Sequence, residues 1–228
     1  MSVRISVIIP TLNEEQMIEE TLRHLIILEP AEIIVVDGGS KDQTVSLAKP
    51  FSSFVLDALP GRARQCNLGA AHAAGDVLLF LHADSQLTRE GFRRIPEILQ
   101  DSNVVGGAFD LDIRSERPAL KIIAKSANIR SRLSGIPYGD QGIFIRKKVF
   151  EQLGGFKQIP IMEDVDLARR MKRLGRIVFL KEKITTSDRR WVKEGIFYTT
   201  ARNSILITLY FLGFSPTTLK RWYSDTAR

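Results

Sequence analysis

Five short clusters in this 228-residue chain combine residue types that can do chemistry. Asp37 precedes Gly38 and Gly39 at the end of a β-branched run. A carboxylate so placed can accept hydrogen bonds from a base or a ribose, and the glycines let backbone approach a ligand closely. A turn-forming Asp explains the same residues equally well. His82-Ala83-Asp84 follows another apolar run. An acid at the exposed end of a buried strand can hold Mg²⁺ or Mn²⁺ beside a diphosphate, because Mg²⁺ commonly uses one or two carboxylates together with substrate phosphates. The competing roles are a helix cap for Asp84 and packing for His82. Glu163-Asp164-Val165-Asp166 places three acids in four residues. Acids at a helix start are worth about 0.3–1 kcal/mol each through the helix dipole, which accounts for Asp166. Asp164 or Glu163 could instead serve as a general base towards a hydroxyl. Gly139-Asp140-Gln141-Gly142 is either a pocket-lining polar loop or a turn. Asp188-Arg189-Arg190-Trp191 pairs two guanidiniums with an indole, which suits a diphosphate and a stacked ring, or a basic surface with one core Trp. His24 and His72 lie in helical stretches, where packing or exposure outweighs metal ligation. Cys66, among small residues, reads as core rather than nucleophile.

These residues need elements to position them. Residues 5–10 read as a buried strand, Asn13 as the cap of the next helix with Gln16 three residues on, and Ile18, Leu22, Leu25 and Ile26 as that helix's apolar stripe. A second strand over 33–36, a short helix from about Asp42, a weak strand over 53–56, a helix over 62–74 and a strong strand over 77–81 follow. This rhythm predicts an α/β fold with a mostly parallel sheet covered by helices. Ligands bind such sheets at the C-terminal ends of strands, where residues 11–14, 37–40 and 82–85 converge. The second half predicts a strand over 106–113, a helix over 118–134 with Pro118 in its first turn, and a strand over 142–145. A helix over 147–153 stopped by Gly154 and Gly155, a helix over 164–174 and a strand over 177–180 complete it.

No repeat, low-complexity tract or flexible linker divides the chain, so one domain with a C-terminal extension is expected. A single cysteine excludes an intrachain disulfide and fits a reducing compartment. The start lacks a charged segment followed by a long apolar one. The expected location is cytoplasmic, or peripheral on the inner face of the cell membrane. The net charge of +7 suits a solvated surface, or attraction to phosphates or an anionic membrane. Nucleic acid is not expected as a partner, because no aromatic-basic stacking platform is present. Residues 195–214 are rich in Ile, Leu, Phe and Tyr, but the uninterrupted apolar part, 205–214, is shorter than the about 20 residues a spanning helix needs. Packing on the domain or a homodimer contact is expected ahead of an interfacial helix in which Arg189, Arg190, Lys193, Lys220 and Arg221 meet headgroups.

Taken in order, the motifs resemble the family-2 inverting glycosyltransferases. Val7-Ile8-Ile9-Pro10-Thr11-Leu12-Asn13-Glu14-Glu15 looks like the family's first strand and loop, and Val35-Val36-Asp37-Gly38-Gly39-Ser40 like its second. Gly61-Arg62-Ala63-Arg64-Gln65-Cys66-Asn67 looks like its next helix, Leu81-His82-Ala83-Asp84 like its Asp-x-Asp segment, Met162-Glu163-Asp164 like its catalytic pair and Arg189-Arg190-Trp191 like the end of Gln-x-x-Arg-Trp. The match spans residues 4–191 and looks closest to small bacterial enzymes associated with arsenosugar biosynthesis or diaponeurosporenoate glycosylation.

The resemblance implies a Rossmann-like GT-A fold, with a nucleotide-sugar half over 1–100, an acceptor half over 101–193 and an extension over 194–228. It implies a donor site made of Pro10, Thr11, Leu12, Glu14, Asp37, Gly38, Arg62 or Arg64, His82, Ala83, Arg189, Arg190 and Trp191. Mn²⁺ or Mg²⁺ would sit on Asp84; His82 replaces the first Asp of the motif and would contact metal, ribose or phosphate. Asp164 would take the acceptor proton beside Glu163, and Gly139, Asp140 and Gln141 would line the acceptor pocket. Ser187 and Asp188 stand where the Gln of Gln-x-x-Arg-Trp would begin its motif, which argues against processive synthesis. The implied reaction is inverting, non-processive transfer of a hexose from a nucleotide-diphosphate sugar. UDP is the family habit and guanine stays open; the acceptor is a hydroxyl or carboxyl of a small or lipid-like molecule. Two rivals are an inactive nucleotide-sugar-binding protein, disfavoured by retention of Asp84 and Asp164, and a sugar-nucleotide pyrophosphorylase. The latter's basic Gly-rich loop is replaced here by Thr11-Leu12-Asn13-Glu14-Glu15.

Overall fold

The β-branched runs of the first half become the parallel half of one sheet. In the computed structural model, which describes residues 3–223, β1 (Ile5–Thr11) pairs in parallel with β2 (Glu32–Asp37) and β4 (Val77–Phe80), and β2 with β3 (Phe54–Asp57). Helices α1 (Ile18–Ile26), α2 (Thr44–Ala48) and α3 (Arg62–His72) make the crossovers. β5 (Gln86–Leu87) and α4 (Arg89–Ile98) lead to β6 (Val104–Arg114). After α5 (Pro118–Ser134), β7 (Ile143–Arg146) runs antiparallel to both β4 and β6, while β8 (Arg176–Ser187) is parallel to β6. The order is β3-β2-β1-β4-β7-β6-β8-β5, a mixed and mostly parallel sheet. Short α6 (Lys147–Gln152) and α7 (Glu163–Met171) join β7 to β8, and α8 (Arg189–Glu194), α9 (Ile196–Phe211) and α10 (Pro216–Lys220) follow it.

Two apolar layers sandwich the sheet. One packs Val7, Ile9, Leu22, Leu25, Leu79 and Phe144 beneath α1 and α4. The other packs Ile8, Ile34, Leu78, Ile145, Phe150 and Met171 beneath α3, α6 and α7. Gly106 and Gly107 let β6 lie close between its neighbours: a Cβ on either would stand 2.3 Å from the carbonyl oxygen of Phe144 or Val178.

Several local expectations need correction. Asn13 does not cap α1. It sits at φ 55° and its Oδ1 accepts from the Lys41 amide, tying the first loop to the second. Ile26 lies on the exposed side of α1. Asp84 caps no helix; Thr88 does, accepting from the Gly91 amide. α4 itself was not foreseen, because Pro96 lies inside it and proline ordinarily ends a helical pattern. β8 runs seven residues beyond the expected end at Leu180, which carries the chain to Arg189 at the strand ends. The division expected at residue 193 falls inside α8. Past it, Ile207 and Tyr210 of α9 pack on Ile136, Tyr138, Val165 and Ala168, and Leu206 packs with Ile161 and Leu219.

Candidate active site

A cleft opens at the C-terminal ends of β1 and β4. Pro10, Arg62, Cys66, Phe80, Leu81, His82, Gly139, Ile143, Phe156, Glu163 and Asp164 line it, around about 290 Å³ of empty space.

On one side, the ends of β1 and β2 form a locked platform. Thr11 Oγ1 donates to Asp37 Oδ1 (3.1 Å), and the Gly39 and Ser40 amides donate to Asp37 Oδ2 at 2.8 and 2.7 Å. Ser40 Oγ also donates to Asp37 Oδ1. Asp37 is therefore buried and engaged in shaping its own turn. Gln65 of α3 carries no local signal of a role, yet its Nε2 donates to the carbonyls of Thr11 and Val36, both at 2.8 Å. The Gly38 amide donates to Thr11 O (2.8 Å), and a Cβ there would approach Gln65 Nε2 to 3.1 Å. Leu12 is half-buried in the loop beyond.

Next along the edge stands an acid-arginine cluster. Arg189 Nη2 pairs with Glu14, and its Nε lies 3.6 Å from Asp84 Oδ2. Asp84 Oδ1 accepts from Thr186 Oγ1 at 3.2 Å. Thr186 was missed because it lies on the unforeseen length of β8. Burial pushes the Glu14 carboxyl up, against the pull of Arg189. Ala83 is buried, its carbonyl accepting from Thr21 Oγ1. Among the described residues, His82 Nε2 is buried without a hydrogen-bond partner. Burial, then Arg62, Arg190 and Arg189, hold this imidazole well below its usual range, so it is neutral at pH 7.

The acidic pair opens α7. Asp164 Oδ2 accepts from the Gly139 amide at 2.6 Å and Oδ1 from the Val165 amide at 2.7 Å. Both oxygens are fixed by backbone, while the side chain still lines the cleft. Glu163 is buried, 3.6 Å from Arg62 Nε. Burial, then the neighbouring Asp164 charge, push its carboxyl to about 7, with Arg62 opposing. Met162, which precedes the pair, is held at φ 66°, a left-handed conformation costing a non-glycine residue on the order of 1–3 kcal/mol. Asp140 is also raised, by burial and then Asp164. Burial keeps Cys66 a thiol, its pKa about 12.

The structure brings Pro10, Arg62, His82, Gly139, Glu163 and Asp164 to one cleft, with Glu14, Asp84 and Arg189 beside one another. Two expected residues point elsewhere. Arg64 lies on the exposed side of α3. The Gln141 side chain faces the interior: its Oε1 accepts from Ser131 Oγ and the Tyr138 amide, and its Nε2 donates to Phe109 O. It holds the loop and does not line an acceptor pocket. Trp191 is half-buried and packs one side against Leu111, Ile113, Leu120 and Ala124. Arg190 is bonded to Tyr223 Oη and lies over its ring. His24 bonds the Leu87 carbonyl and His72 that of Leu68.

For a divalent cation the donor set is sparse. Among the described residues, no three His, Cys, Asp or Glu side chains gather as a metal site. Asp84 offers one carboxylate, and His82 a neutral imidazole with an unpartnered Nε2. That fits a cation completed by substrate phosphates, and not one caged by protein.

The family model described as Glycosyl transferase family 2 matches residues 6–154. The probable glycosyltransferase YdaM of Bacillus subtilis (strain 168) is 27% identical over 202 residues, covering 75% of this chain and 47% of YdaM. The 4,4'-diaponeurosporenoate glycosyltransferase of Staphylococcus haemolyticus (strain JCSC1435) is 34% identical over 95 residues, 38% of this chain and 25% of that protein. The chain thus spans half or less of these relatives. In fold it is similar to the mannosyltransferase PcManGT of Pyrobaculum calidifontis, solved with GDP-Man and Mn²⁺ (TM-score 0.65, 21% identity, 81% of this chain and 57% of that one). It is likewise similar to S. aureus TarS 1-349, solved with UDP-GlcNAc (TM-score 0.64, 19% identity, 81% and 58%). The strand order, the site at the strand ends and the match over residues 6–154 agree: this chain has a GT-A fold and belongs to glycosyl transferase family 2.

Proposed function

We propose that the protein transfers a hexose, with inversion, from a nucleotide-diphosphate sugar to a hydroxyl or carboxyl of a small or lipid-like acceptor, one sugar at a time. The observation that carries this reading is Asp164, fixed by two backbone amides in the cleft, with the Asp84–Arg189 cluster along the same sheet edge. The base and ribose would lie on the platform of Thr11, Gly38 and Asp37, and the diphosphate would reach Arg189. Without a donor, Arg189 is paired with Glu14 and Asp84; an incoming diphosphate would take over that guanidinium. When bound at Asp84, Mn²⁺ or Mg²⁺ would supply Lewis-acid neutralisation of the departing diphosphate. Similar proteins solved with GDP-Man and Mn²⁺ or with UDP-GlcNAc support this donor class without selecting base or sugar.

In the transfer step, Asp164 accepts the acceptor's proton as its oxygen bonds to the anomeric carbon. The bond from that carbon to the diphosphate breaks, and the nucleoside diphosphate leaves. One displacement inverts the centre. Arg62, between Glu163 and Asp164, keeps two adjacent carboxyls from repelling each other out of register. The test is Asp164→Asn, assayed by nucleotide release from a panel of donors with Mn²⁺. The expected loss is about 10²–10⁴-fold in kcat, the usual worth of a positioned base, with donor affinity retained. Undiminished transfer would remove Asp164 from the chemistry.

A further inference from the structure

We infer that the face formed by α5 and α9 is a docking surface for an anionic lipid bilayer, lying in the plane of the membrane. This inference is independent of the proposed transfer reaction. Its first support is exposure: Ile122 (69%) and Leu133 (85%) on α5, Phe197 (88%) on α9 and Leu212 (70%) just past its end all face outward, with Ile129 and Ile205 between them. The two helices lie side by side. Ile196 packs with Leu120 and Ala124 near the start of α5, and Ile207 and Tyr210 pack on Ile136 and Tyr138 just beyond its end. Exposed large apolar side chains grouped in this way mark an interaction surface.

Charge selects the partner. Residues 118–135 carry Lys121, Lys125, Arg130 and Arg132 and no acid; residues 195–223 carry Arg202, Lys220 and Arg221 and no acid. Glu194, between them, is bound to Arg202 at 2.7 Å, both buried. The flanking acids, Glu116 and Asp188, lie outside the two helices. Three hydroxyls on these helices bond back to their own helix: Ser126 donates to Ile123 O, Ser204 to Thr200 O and Thr208 to Ser204 O. Arg132 is paired with Asp110 and Arg202 is buried against Glu194, so the margin of the apolar face is set by exposed Lys121, Lys125, Arg130 and Arg221, a charge that complements anionic headgroups above acyl chains. Among the described residues no helix is long and apolar enough to cross a membrane, so contact is in-plane. Relative to the sequence expectation, the basic margin changes: Arg189 is engaged at the cleft and Arg190 at Tyr223, and Lys121 and Lys125 take their place.

The full chain should be floated with vesicles of phosphatidylcholine mixed with phosphatidylglycerol, and with phosphatidylcholine alone. Flotation is expected with the mixed vesicles only, weakening as salt rises. Ile122→Ser/Leu133→Ser/Phe197→Ser should abolish it. Lys121→Gln/Lys125→Gln should lower the vesicle partition about fivefold per lysine, equivalent to about 1 kcal/mol each. Thermal unfolding of both variants checks that they remain folded. No flotation of the wild type, or equal flotation of the variants, overturns the proposal. So does a dimer in sedimentation that the triple variant splits while wild-type flotation is absent, since the face would then join two copies of the chain.

Discussion

Glu163 is 6% exposed and shares its surroundings with Asp164 and a single guanidinium 3.6 Å away. Its carboxyl lies at about 7, against the ordinary 4.5, because burial and the adjacent carboxylate both disfavour its charge. The folded state therefore binds the proton more tightly than the unfolded state does, and stability falls as pH rises through the window from 4.5 to about 7. At roughly 1.4 kcal/mol per pKa unit, this one group costs on the order of 3 kcal/mol above that window. Glu163→Gln removes the titration. Urea midpoints measured at several pH values should show a shallower decline for this variant than for the wild type. The Glu14 and Asp140 carboxyls, both raised chiefly by burial, add slope of the same sign, while His82, held well below its usual range, adds slope of the opposite sign, so the difference between variant and wild type carries the test. A decline of unchanged steepness would mean that Glu163 is charged throughout.

The loops at the strand ends turn these residues into a site, and they divide sharply into what the sequence shows and what it hides. Asp37, His82 to Asp84 and the Glu163–Asp164 pair were legible because each directly follows an apolar run or opens a helix. The polar residues that pin the site were not: Gln65 and Thr186 act through contacts 54 and 102 residues away in the chain, and no local pattern marks them, while Gln141 stood out as part of a polar cluster but not for its bond to Phe109, 32 residues away. The strand expected over 142–145 is present as β7, but its direction was hidden: it runs antiparallel to β4 and β6, and a four-residue apolar strand carries no sign of its direction. Gly139 shows how tight the loop packing is. A Cβ there would stand 2.7 Å from Arg62 Nη2 and 3.0 Å from Asp164 Oδ2. Both are ends of side chains that can move, so Gly139→Ala should fold with a melting point near the wild type's. A displaced base is costly, about 10²-fold for 1 Å, so transfer should fall by tens to a hundredfold. Gly107→Ala is the contrast: its Cβ would meet the Val178 backbone oxygen at 2.3 Å, and there the soluble yield should collapse. Equal activity of Gly139→Ala and wild type would show that the loop has slack.

At the scale of the whole molecule, the C-terminal helices buttress the start of α7. α9 and α10 supply Leu206, Ile207, Tyr210 and Leu219, which cover Ile161, Met162, Val165 and Ala168, the residues on either side of the Glu163–Asp164 pair. Tyr223 reaches back to bond Arg190, next to the arginine that faces the donor side. Burial of one aliphatic side chain is worth about 1.5–3 kcal/mol, so removing several approaches the whole stability of a typical domain, about 5–15 kcal/mol. The left-handed Met162 would also lose the packing that holds it in place. Among the described residues, the hydrogen bonds of the Thr11, Asp37 and Gln65 platform run within the platform itself and none reaches these helices. A chain stopped after Lys193 should therefore unfold at a markedly lower temperature and lose transfer activity, while nucleotide protection of the remaining fold at low temperature persists. Differential scanning fluorimetry with and without nucleotide, beside a donor-release assay, separates these effects. Unchanged melting and unchanged turnover would establish residues 1–193 as a self-sufficient domain and would reduce the last helices to the membrane-facing role inferred for α9.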